Sequence, residues 1–107
     1  MLRSNWFHVL AALAREDLHG SAIVEDVLDQ TDGEVRLWPA TLYRTLDEMV
    51  AGGLIEELTG ARHPSGESQR KRYYRATPLG RRELAASAER LSAYAGIARH
   101  RLTDAGA

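Results

Sequence analysis

Residues 39–59 decide the fold: Pro39-Ala40-Thr41-Leu42-Tyr43-Arg44-Thr45-Leu46-Asp47-Glu48-Met49-Val50-Ala51-Gly52-Gly53-Leu54-Ile55-Glu56-Glu57-Leu58-Thr59. Leu42, Leu46, Met49 and Val50 recur at helical spacing and predict one buried side. Pro39 suits the first turn of that helix, where its missing N–H costs nothing. Gly52-Gly53 stops the helix. Residues 54–59 then read as a strand, and residues 70–76 as a second. Between them, residues 60–69 form a polar loop rich in Gly, Pro and Ser, so the pair is a hairpin with a long tip.

The pattern extends in both directions. Towards the N-terminus, Leu2, Trp6, Val9, Leu10 and Leu13 predict an amphipathic helix over residues 2–15. A turn is expected at residues 17–20. Ile23, Val24, Val27 and Leu28 give a second helix over residues 20–31, closed by Asp32-Gly33. Val35-Arg36-Leu37 suggests a stub of strand. Towards the C-terminus, Thr77-Pro78 is an N-cap followed by proline, opening a fourth helix to about residue 101, with a short tail from residue 103. The order is helix, helix, strand stub, helix, hairpin, helix. This predicts a mainly α (α+β) fold, a winged helix-turn-helix over residues 1–77 with a long C-terminal dimerisation helix and tail over 78–107. A bland α+β domain is the alternative.

Composition narrows the chemistry. The chain has 107 residues and no cysteine, which excludes disulfides, thiolate metal sites and a cysteine nucleophile. No apolar run reaches the roughly 20 residues of a membrane span. The first fourteen residues lack a cleavage signal, so a cytoplasmic location is expected. His8, His19, His63 and His100 fall in separate elements without ligand spacing, so no metal and no cofactor is expected. Adjacent carboxylates such as Glu25-Asp26 and Asp47-Glu48 diverge on a helix instead of converging. No phosphate-cradling glycine motif or nucleophile elbow is present. The chain is not expected to be an enzyme.

A net charge of −1 argues at first against nucleic acid, whose binders are usually basic. The distribution says otherwise. Residues 1–61 carry a net −7, residues 62–82 a net +6, and the remainder balance. All but one of the 14 cations are arginine, the side chain suited to forked contacts with phosphate. Alternatively, these arginines pair with the acidic helices.

In a helix-turn-helix, the N-terminal residues of the third helix enter the major groove. Thr41 and Tyr43 point outward there and can donate to phosphate, while Arg44 can take a guanine edge or a phosphate. Alternatively, Thr41 is a local cap and Tyr43 packs beneath the wing. In the strand over 70–76, Arg70, Arg72 and Tyr74 alternate with Lys71, Tyr73 and Arg75, one set facing the core. Leu84, Ala88, Leu91, Ala95, Ala98 and Leu102 step by fours and threes along the fourth helix, which favours the seam of a helix-to-helix dimer over packing within the monomer. Trp6, Phe7 and Tyr94 either line a cavity for a flat aromatic ligand between the first and fourth helices or fill the dimer core.

Four fragments also fall in a familiar order: Leu18-His19-Gly20; Leu37-Trp38-Pro39-Ala40-Thr41-Leu42-Tyr43; Gly53-Leu54-Ile55-Glu56; and Arg72-Tyr73-Tyr74-Arg75-Ala76-Thr77-Pro78-Leu79-Gly80. Together they resemble the PadR family of bacterial transcriptional regulators, in its short branch with a single C-terminal helix. The resemblance implies a winged-helix homodimer that represses transcription from a palindromic operator in double-stranded DNA. It also implies release by a small aromatic effector. By the same analogy Thr41, Tyr43 and Arg44, with Arg70, Lys71 and Arg72 on the wing, contact DNA. Departures are Ser21-Ala22 in place of Tyr and an acidic residue, Trp38 in place of a Ser-like cap, Ala40 in place of Gly, and Arg44 in place of Pro. A winged-helix protein-interaction module without DNA binding is the competing function.

Overall fold

The computed structural model describes residues 2–64 and 71–106. Its helices are α1 (Ser4–Arg15), α2 (Gly20–Gln30), α3 (Pro39–Ala51) and α4 (Pro78–Gly106). Its strands are β1 (Leu18–His19), β2 (Ile55–Leu58) and β3 (Tyr73–Ala76), with a 3-10 turn at Gly60–Arg62. Val9, Leu10 and Leu13 of α1 meet Ile23 and Val27 of α2 and Leu42, Leu46 and Met49 of α3 in one buried core. Ile55, Tyr74 and Ala76 close that core from the sheet. Burial of this apolar set, at about 25 cal/mol per Å² removed from water, is what fixes the three helices against one another. On α3 the buried side includes Thr45, while Val50 is 39% exposed instead of buried as its spacing suggested.

The end of α3 follows from its sequence. Gly53 takes φ +75, its N–H reaches Val50 O and the Leu54 N–H reaches Met49 O, both at 3.0 Å. These are the two bonds of a Schellman motif, and the left-handed residue between them favours glycine. The chain turns directly into β2.

The sheet is antiparallel, in the order β1-β3-β2. Two expectations need correction here. Residues 17–20 were expected to form only a turn, yet Leu18 and His19 pair with Tyr74 and Tyr73 as a third strand. Residues 35–37 form no strand. Their β-branched character is a local preference, and a strand also needs a neighbour; β3 is flanked by β1 and β2 instead. The second hairpin strand is also shorter than residues 70–76, and Arg70 lies outside the described residues. Both of its tyrosines are buried. Tyr74 belongs to the helical core, whereas the Tyr73 ring is met edge-on by His19 at 5.3 Å and His63 at 5.2 Å.

Thr77 caps α4 as its sequence predicts: its Oγ1 accepts from the Gly80 N–H at 3.0 Å. The same hydroxyl donates to Gly53 O at 2.6 Å, and the Thr77 N–H donates to Leu54 O at 3.1 Å. Gly80 lets this corner close, because a Cβ there would stand 2.0 Å from Leu54 O. Beyond the corner, α4 runs for 29 residues, through the segment expected to be a tail. It gives the molecule extents of 59 × 27 × 21 Å. Among the described residues no helix is long and apolar enough to cross a membrane.

Candidate nucleic-acid interface

The position of α3 is set at its contact with α2. A Cβ on Gly20, the first residue of α2, would lie 2.6 Å from the Tyr43 hydroxyl and 3.3 Å from Leu42 Cδ2. The missing side chain lets α3 approach closely, with Leu42 turned inward and the Tyr43 ring held across the start of α2 at 37% exposure. The sequence left open whether Tyr43 faces outward or packs under the wing; it does both. Ala40, Arg44 and Asp47 are exposed along the same helix and Thr41 is half-buried. Arg44 lies 3.9 Å from Glu48, which also binds Arg3 at 3.1 Å. Hollows flank α3 on two sides. Arg36, Trp38 and Tyr43 line one; Arg3, Trp6, Thr41 and Arg44 line the other.

The wing is tied to this helix through Arg72. Its guanidinium donates to Glu57 at 3.0 Å and to Asp47 of α3 at 3.3 Å. It also lies 5.5 Å from the Tyr43 ring centre and 5.6 Å from that of Tyr74. The hydrogen bond to Glu57 raises the Arg72 pKa further above its already high value, so the group stays charged. Burial pushes the Tyr74 phenol up to about 12, with the Arg72 charge opposing the shift. Arg75 is held by Asp17 of the α1–β1 connection at 2.8 Å, a bond that raises its pKa. Arg62 pairs with Glu56, and Arg81 donates to Ala14 O at 3.1 Å. His63 Nε2 stands 2.7 Å from Lys71 O, joining the two arms of the hairpin. The cationic run therefore meets the acidic first half of the chain, as the sequence allowed.

On α4, Leu91, Tyr94 and Leu102 are exposed by 44%, 51% and 73%. Ala88 and Ala98 are exposed and Ala95 half-buried. Ile97, which the heptad spacing did not include, adds to the exposed apolar surface. Leu84 differs, because it packs against the chain's own core. Trp6, Phe7 and Tyr94 are not gathered into one cavity within the chain. Trp6 lines the hollow beside α3, Phe7 lines another with Leu2, His8, Ser87 and Leu91, and Tyr94 stands on the open face of α4. Among the described residues no cluster of side chains fits a metal ion. Sequence reasoning gave no site role to Trp38, which is 62% exposed under the Arg36 guanidinium. Only its departure from a Ser-like cap marked it.

Three helices packed as a helix-turn-helix, followed by a hairpin whose arginine reaches back to the third, define a winged helix-turn-helix protein. Arg72, at the foot of the wing, lies beside Tyr43 and Asp47 of α3. Within that class, the chain belongs to the transcriptional regulator PadR-like family, whose family model matches residues 9–86. Solved structures share the fold. A PadR-like transcriptional regulator from Bacillus cereus is 20% identical, with a TM-score of 0.75 over 92% of this chain and 90% of that one. A PadR family transcription regulator from Clostridium difficile is 22% identical, with a TM-score of 0.73 over 91% and 96%. Bacillus subtilis PadR, solved in complex with operator DNA, is 21% identical, with a TM-score of 0.65 over 78% of this chain and 46% of that one. No curated protein sequence matches the chain.

Proposed function

We propose that this PadR-family chain is a homodimeric transcriptional repressor that binds a palindromic operator in double-stranded DNA through α3 and the wing. The observation that carries this reading is the placement of Arg72 between Glu57, Asp47 and the Tyr43 ring. It brings a wing cation beside Tyr43 in the N-terminal half of α3 and Asp47 in its C-terminal half. Arg44 then reaches a guanine edge or a phosphate, and the Thr41 and Tyr43 hydroxyls donate to phosphate oxygens. Lys71, and Arg70 beyond the described residues, would add backbone contacts along the wing. The bacterial relative solved with operator DNA supports the assignment by fold.

The exposed Leu91, Tyr94, Ile97 and Leu102 of α4 are covered, in this reading, by the same helix of a second copy. A two-fold dimer sets its two copies of α3 about one DNA turn apart, matching a palindrome. A small aromatic effector would enter at the α1–α4 face, where Phe7 lines a hollow with Leu91, and release the operator; Trp6 and Tyr94 lie outside that hollow. Such a regulator works in the cytoplasm by binding, with no catalytic step.

Electrophoretic mobility shift tests the core of the proposal, using the duplex upstream of the chain's own coding sequence at two salt concentrations. Binding should fall steeply with salt, because arginine contacts release counterions. Arg72→Ala should weaken binding on every duplex tried. A chain that shifts no duplex at low salt, but captures an acidic protein through the same hairpin, is an interaction module instead.

A further inference from the structure

Residues 1–61 hold four arginines among eleven carboxylates. Three of them have a carboxylate within 4 Å: Arg3 has Glu48, Arg15 has Glu16 and Asp26, and Arg44 has Glu48. Arg36 has none among the described residues. Its guanidinium instead lies 4.6 Å from the ring centre of Trp38, itself 62% exposed. Stacking on an indole holds a guanidinium plane in a fixed direction and leaves its N–H edge available. An exposed tryptophan with an unpaired cation, in the most acidic part of the chain, is a preformed surface for a negatively charged partner.

Its location identifies the partner. Trp38 directly precedes Pro39, the first residue of α3. Arg36, Trp38 and Tyr43 line the same hollow of about 630 Å³, so the pair is continuous with the face already assigned to DNA. Val24, Leu28 and Leu42 form much of its apolar floor, with Glu25 the one carboxylate on its wall. A deoxyribose offers an apolar face to the indole, and the next phosphate offers oxygens to the guanidinium fork.

We propose that Arg36, held by Trp38, binds the sugar–phosphate backbone of duplex DNA beside the N-terminal end of α3. This rests on the reading of α3 as the recognition helix. The contact carries no base preference of its own. It positions α3, and it belongs to the segment between α2 and α3 instead of to the helix or the wing.

The test is fluorescence anisotropy with a labelled duplex from upstream of the chain's coding sequence and an unrelated duplex of equal length, between 50 and 200 mM salt. Each phosphate contact contributes roughly 3.5-fold to the loss of affinity over such a fourfold change in salt. Arg36→Gln should weaken binding to both duplexes and flatten the salt dependence by about 3.5-fold per contact, or about 12-fold for the two copies of a dimer. Arg36→Lys keeps the charge and should keep the salt dependence, with a few-fold weaker affinity because the fixed fork is lost. Arg15→Gln, whose arginine faces Asp26, should leave the salt dependence unchanged. The exposed side chain predicts an unaltered thermal transition for every variant. If the wild type binds and Arg36→Gln shows the same affinity and salt dependence, the contact does not exist, although α3 can still be the recognition helix. If the wild type binds neither duplex at low salt, both readings fall.

Discussion

Gly80→Ala sets two physical effects against each other. Helix propensity alone predicts stabilisation by about 1 kcal/mol, because alanine is the better helix former. The packing predicts the opposite. The new Cβ would sit 2.0 Å from Leu54 O and 3.0 Å from Leu10 Cδ2, so the first turn of α4 must retreat by more than about 1 Å to restore ordinary contact. Overpacking of this kind costs about 1–3 kcal/mol. The retreat also stretches two hydrogen bonds, from Thr77 Oγ1 to Gly53 O at 2.6 Å and from Thr77 N to Leu54 O at 3.1 Å, each worth about 1 kcal/mol. After subtracting the propensity gain, the net loss is roughly 2–4 kcal/mol. For a chain of this size that lowers the melting temperature by roughly 10–30 °C. Thermal melting followed by circular dichroism measures it, with protein concentrations matched because self-association shifts the transition. Gly96→Ala is the control: nothing lies within 4 Å of a Cβ at that position of the same helix, so it should stabilise by up to about 1 kcal/mol. A Gly80→Ala chain that melts at or above the wild-type temperature would refute the packing account.

Two further outcomes follow from the core and from α4. The Tyr74 hydroxyl is buried without a hydrogen-bond partner among the described residues, so Tyr74→Phe should be neutral or stabilising by about 1 kcal/mol near neutral pH. Its pKa stands at about 12 in the fold against 10.0 ordinarily. The stability linked to Tyr74 is therefore complete below pH 10 and is lost as pH rises towards 12, by up to about 3 kcal/mol. Denaturant titrations across that interval should show a steeper decline for the wild type than for Tyr74→Phe. Leu91→Glu places a charge on the exposed apolar side of α4; sedimentation velocity should report dimers for the wild type and monomers for the variant, and a monomeric wild type would remove α4 from any pairing role.

The helices were legible because their signals are local. Pro39, Gly52-Gly53 and Thr77-Pro78 each act within one turn of chain, and each lies at the boundary it predicts. Strand β1 was not legible. Leu18 and His19 are extended because Tyr74 and Tyr73, more than fifty residues later, pair with them, and nothing in residues 17–20 records that partner. Residues 35–37 fail for the converse reason, having the composition of a strand without a neighbour. The candidate interface was legible in its charges but not in their pairing. Alternation placed Arg72 and Tyr74 on one face, whereas the engagement of Arg72 by Glu57 and Asp47 joins residues from β2 and α3. Trp38 was hidden by its own hydrophobicity, which spacing alone cannot distinguish from a core position.

The reach of α4 has a geometrical consequence. At 1.5 Å per residue, its 29 residues span roughly 44 Å, while its root is held at one corner by Thr77, Gly80 and the Leu54 carbonyl. A tilt of about 5° at that root moves the far end by roughly 4 Å, more than half a helical turn. The same Leu54 carbonyl follows the Gly52-Gly53 turn that ends α3, so the lever and the helix proposed to read DNA share a pivot. In the proposed dimer, a molecule that changed how the two levers cross would change the separation of the two copies of α3, without touching either one.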